Sequence, residues 1–73
     1  MPEQWLARSL AQYQARDCQA SLDSSLQALR LRPDYAEAFN NICAANNAMG
    51  RYAEAATARE RALDLKANSP LAQ

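Results

Sequence analysis

The chain has 73 residues, 49% of them hydrophobic, with eight basic and eight acidic side chains, one glycine, two cysteines and no histidine. That length allows one small domain near the lower limit for an independent core, and a charge balance that holds on both sides of Asp34 argues against a nucleic-acid patch or a polybasic membrane anchor. With no histidine and neither GxGxxG nor GxxxxGK[ST], the usual nucleophile–base pairs and phosphate-cradling loops are missing, so the chain is expected to be noncatalytic and to need no cofactor.

Alanine, leucine, glutamine, arginine and glutamate dominate, while Ile42 and Thr57 are the β-branched residues and valine is absent. This favours an all-α fold, with helices expected over 3–15, 18–31, 35–49 and 52–65. On the first, Leu6, Leu10 and Tyr13 follow i, i+4, i+7 spacing beside Trp5, which reads either as a core face or as an exposed apolar patch. The break at Arg16-Asp17 has no glycine, so a sharp turn there is disfavoured by about 1 kcal/mol. The first two helices could instead straighten into one and exchange between chains.

The second helix ends before Pro33, which cannot extend it. Asp34 with Glu37 reads as an acidic capping box opening the third, and Gly50 suits a left-handed cap at its end. Beyond the fourth helix, Ser69-Pro70 looks like the start of a further helix, with Leu71, Ala72 and Gln73 left to build it.

No apolar run is long enough to span a bilayer and there is no signal peptide, so a cytoplasmic location is expected. Cys18 and Cys43 are expected to be reduced and mostly buried. They are too few for a structural zinc site.

Four asparagines, Asn40, Asn41, Asn46 and Asn47, lie in the third helix although each costs up to ~0.7 kcal/mol relative to alanine. At about 100° per residue, Phe39, Ile42, Cys43 and Asn46 share one face and are expected to pack against the fourth helix. Glu37, Asn40, Asn41, Ala44, Asn47 and Ala48 share the other. There the asparagines form a polar stripe able to pair with both N–H and C=O of a bound peptide, or simply a solvated face. Asn46, on the packing side, is expected to be structural, paired with backbone or with Arg59, or else to sit in loose packing.

Laid over itself with Ala28 on Ala62, the sequence also places Leu29 on Leu63, Leu31 on Leu65, Trp5 on Phe39, Ser9 on Cys43 and Cys18 on Tyr52. With that offset, about 34 residues, and helix–turn–helix units, the chain resembles the tetratricopeptide repeat family. The second unit supplies Phe39, Ile42, Cys43, Gly50, Tyr52, Ala55 and Ala62 at motif positions; the first supplies Trp5, Ser9, Ala28 and Pro33. Asn46, Arg59, Ser25, Arg8, Arg16 and Ala67 depart from the pattern. The resemblance implies one domain of two repeats, 2–35 and 36–69, with 70–73 beginning a truncated further helix, coiled as an α-α superhelix.

In such a superhelix the first helix of each pair lines a concave groove that takes an extended peptide or a partner helix. The asparagine stripe is similar to the ladder in the repeat superhelix of O-linked N-acetylglucosamine transferase-like proteins, with Asn41 at the ladder position and Ala7 in its place in the first unit. The expected site is therefore Glu37, Asn40, Asn41, Ala44 and Asn47 with Leu6, Leu10 and Tyr13. The expected role is a protein-interaction scaffold, a fragment of a longer array that self-associates through its open ends. Alternatives are a substrate-recruiting segment of a larger glycosyltransferase, or a self-assembling repeat, natural or engineered, with no ligand. Peptide or protein partners are expected, without nucleic acid or membrane.

Overall fold

The structure is a computed structural model and describes residues 1–67. Those residues are all-helical: α1 (Pro2–Gln14), α2 (Cys18–Leu31), α3 (Ala36–Ala48) and α4 (Tyr52–Ala67). Each element lies within two residues of its expected span. Ser69-Pro70 and the expected further helix lie outside the described residues.

The helices form two hairpins. α1 packs on α2, α2 on α3 and α3 on α4, and α1 also touches α3. The fold measures 35 × 28 × 17 Å, so its thin direction holds about two helices at ~10 Å each. One layer contains α1 and α3, and the other α2 and α4.

Both hairpins turn by the same backbone device, at equivalent positions of the two units. At the end of α3, Gly50 N–H donates to the Asn47 carbonyl at 3.1 Å and Arg51 N–H to the Asn46 carbonyl at 2.8 Å. At the end of α1, Arg16 N–H donates to Tyr13 and Asp17 N–H to Gln12, both at 2.9 Å. This pair of crossed bonds closes a helix when the residue after its C-cap is left-handed. Gly50 takes φ 78° as expected, and Arg16 takes φ 66° without glycine's freedom. The first two helices therefore fold back on each other here, with the backbone strain located at Arg16. Asp17 then caps α2, its carboxylate accepting from Ala20 N–H at 3.4 Å.

The acidic capping box at α3 does not form. The N-cap is Tyr35, one residue later than expected, and no side chain caps the helix. Its carbonyl accepts from Ala38 and Phe39 N–H, while its ring is buried with Ala28 and Ala38 between α2 and α3. Burying the ring fixes Tyr35 in extended backbone at the helix entrance and leaves Asp34 outside it, in the exposed turn. Trp5, Leu6 and Leu29 pack around this cluster. Arg32 lays its guanidinium over the Tyr35 ring at 4.8 Å and reaches Glu3 at 3.1 Å.

The seams inside the two hairpins differ. Between α3 and α4 the buried residues are mostly alanines, Ala45, Ala55, Ala58 and Ala62, with Ile42 and one polar side chain, Asn46. Between α1 and α2 they are hydroxyls. In the overlay that sets Ala28 on Ala62, the buried α2 residues Ser21, Ser24 and Ala28 fall on the buried α4 residues Ala55, Ala58 and Ala62. Ser9 Oγ donates to the Ser21 carbonyl at 3.0 Å and lies 3.0 Å from Ser21 Oγ and 2.6 Å from Ser25 Oγ. Ser24 donates to Gln12 Oε1 at 2.6 Å. Among the described residues, no buried polar side-chain atom lacks a partner, as a polar seam inside protein requires.

Candidate functional site

The expected groove face falls across the layer of α1 and α3, and its residues are placed unequally. Glu37, Asn40 and Asn47 are exposed, and Asn41 and Ala44 are half-buried. On α1 the apolar trio divides. Leu6 packs against the Ala28–Tyr35–Ala38 cluster, while Leu10 and Tyr13 are 48% and 37% exposed. The α1 residues that pack on this cluster are Trp5 and Leu6, in the N-terminal half of the helix. Gln12 faces α2, where it accepts from Ser24, whereas Arg8 is exposed and stacks over the Trp5 ring at 4.9 Å.

Two observations join the helices across this face. Asn41 Nδ2 donates to Ser9 Oγ at 3.5 Å. A hydroxyl has one proton and two lone pairs, and the shorter contacts to Ser21 and Ser25 already occupy them. Asn41 is therefore the longest of four claims on Ser9, and much of its amide capacity is left over. Further along, Tyr13, Gln14, Arg16, Cys18 and Ala48 line a cleft of about 490 Å³ where the end of α1 meets the end of α3. Asn47 stands beside it, donating only to Cys43 Sγ at 3.7 Å, a weak acceptor. The surface thus offers an aromatic ring, small alanines that permit close approach, and amides with spare donors and acceptors.

The opposite face carries a second depression that the sequence reading missed. α2 and α4 make at most a marginal contact, so α3 is left as the floor between them. Leu22, Leu26 and Leu29 form one wall and Phe39, Ile42 and Asn46 the floor, while Arg51, Glu54 and Arg61 stand on the α4 side. Its volume is about 540 Å³. The signal was present as the i, i+4, i+7 leucines of α2, which register as core until the gap between α2 and α4 is known. Phe39 lines this groove half-buried, and Asn46 is buried at its floor, its carbonyl engaged by Met49 and Arg51 N–H.

Cys18 and Cys43 are unpaired and half-buried, less enclosed than expected. Among the described residues no group of cysteines and carboxylates could hold a metal ion, and no helix is long and apolar enough to cross a membrane. No protein-family model matches the chain, and a search of curated proteins finds no match either.

Proposed function

We propose that the chain is a noncatalytic protein-interaction unit of the tetratricopeptide type, taking an extended peptide or a partner helix across α1 and α3. The observation that carries this reading is the cleft shared by Tyr13 and Ala48, on a pair of helices that also expose Leu10, Asn40 and Asn47. Amides with free capacity bind a peptide backbone regardless of its sequence, and the ring and leucine supply contact area for one of its side chains. The recurrence of one turn at matching positions of the two units supports the repeat assignment, since the family's period predicts it.

The outer stripe of α4 fits the same reading. Tyr52, Ala56, Arg59 and Leu63 follow helical spacing and are all exposed, Tyr52 at 69% and Leu63 at 54%. In a longer array this is the stripe that the next hairpin covers.

A peptide-array screen followed by titration tests the proposal. Asn40→Ala with Asn47→Ala, and separately Tyr13→Ala, each weaken the selected peptide by roughly tenfold, about what one or two lost hydrogen bonds or one aromatic contact supply. Unchanged affinity in both variants, with helicity intact, contradicts it.

A further inference from the structure

We propose that α1 exchanges between two copies of this chain, each copy covering the α2–α3 face of the other. The hinge is the α1–α2 turn. Arg16 is held at φ 66° there, a conformation that an L residue with a side chain adopts only under strain. From residue 3 to residue 32 the sequence has no glycine or proline, and Ala15 and Arg16 are good helix formers. A single helix over residues 2–31 is therefore admissible, roughly 45 Å long at 1.5 Å per residue, and residue 16 is relaxed within it. The second hairpin lacks this option because Gly50 sits at its turn and costs stability inside a helix.

The seam that holds α1 closed is also the one most easily reopened. Its buried contacts with α2 are hydroxyl hydrogen bonds, whose net worth is small because water replaces them on opening. Leu10 and Tyr13 remain partly exposed in the closed form, so the apolar anchoring of α1 in the core cluster rests on Trp5 and Leu6.

The chemistry of the vacated face selects the occupant. An opened chain exposes Tyr35, Ala28 and Ala38 together with the Ser21 and Ser25 hydroxyls. The helix that satisfies all of these is one carrying Trp5, Leu6, Ser9 and Gln12 in register, namely α1 of a second copy. The contacts of α1 with the α2–α3 face are reproduced, the hydrogen bonds of the turn are exchanged for helical ones, and two strained turns are released per dimer. This inference depends on the hairpin geometry alone and stands whether or not a peptide binds.

Two measurements on the full chain test it. Sedimentation equilibrium over a wide concentration range shows monomer and dimer, and Arg16→Gly weakens the dimer by about a hundredfold or more, roughly tenfold for each strained turn no longer released. The second measurement uses Cys18→Ser, Cys43→Ser chains carrying either Ser9→Cys or Ser25→Cys. The two are refolded together and oxidised. A mixed covalent dimer forms, because residue 9 of one copy lies against residue 25 of the other, and neither chain alone gives it. A single monomeric species at all concentrations overturns the proposal. So does a dimer that is indifferent to Arg16→Gly, or one whose mixed chains do not cross-link. The Arg16→Gly comparison needs no change in the seam and stands if the cysteine variants fail to fold.

Discussion

The two hairpins solve one geometric problem with different materials. Both turn through a left-handed residue with the same crossed hydrogen bonds, and both bring equivalent α2 and α4 positions into the seam. In the second, glycine occupies the turn and Ala55, Ala58 and Ala62 fill the seam. In the first, arginine occupies the turn and Ser21 and Ser24 precede Ala28 in the seam. Small side chains let both helix pairs approach closely. The hydroxyls add a condition that alanines do not, because each must find a partner once water is excluded. The second hairpin is the relaxed form of the device. The first carries a strained turn and a network whose members depend on one another.

The largest effect is expected where the two hairpins share a support. Tyr35→Ala removes the ring that Ala28, Ala38, Trp5 and Leu6 enclose, and a truncation of this kind costs on the order of 3–5 kcal/mol. Small domains hold only ~0.05–0.15 kcal/mol per residue, so urea titration should show most of the cooperative transition lost.

Next comes the hydroxyl network. Ser9→Ala removes the atom on which Ser21, Ser25 and Asn41 converge and costs about 1–3 kcal/mol, the penalty of leaving buried groups unpaired. The combined Ser9→Ala, Ser21→Ala, Ser25→Ala variant removes the three clustered hydroxyls and recovers most of that loss, since removing hydrogen-bond partners together is close to neutral. Denaturant midpoints of the single and triple variants give the comparison. A triple variant weaker than the single one breaks it.

Smaller still is Gly50→Ala. The added Cβ meets nothing within 4 Å, so the cost is conformational only, about 1–2 kcal/mol for a side chain at positive φ. Thermal melting reads it directly. The smallest effect belongs to Glu3→Gln. The Glu3–Arg32 pair is about half-exposed on both sides, and such pairs contribute less than about 1 kcal/mol. Raising the salt concentration should erase the difference between this variant and the parent chain.

Much of this architecture was legible in the residues. Composition, Pro33 and Gly50 mark the helices to within two residues, because breakers act through local backbone geometry. The face of α3 bearing Asn40 and Asn47 followed from helical spacing. Other features depend on partners distant in the chain. Tyr35 displaced Asp34 as the α3 cap because burial of its ring outweighs one capping bond. Ser9, Ser21 and Ser25 lie 12 and 16 residues apart, and read singly they resemble poor substitutes for apolar packing residues. Only the crossing of α1 on α2 turns them into a satisfied cluster. Leu6 and Leu10 look equivalent in spacing, but Leu6 packs on the Tyr35 cluster while Leu10 stays exposed. The groove between α2 and α4 depends on two helices that do not pack closely on each other, which no single helix records.

The central claim is that the first turn is strained in the same geometry that the second adopts freely. Thermal melting of Arg16→Gly at a concentration low enough to keep the chain monomeric tests this most directly. Relief of about 1 kcal/mol raises the midpoint by roughly 4–8 °C in a domain of this size. A midpoint unchanged or lowered, with helicity intact, would contradict the account.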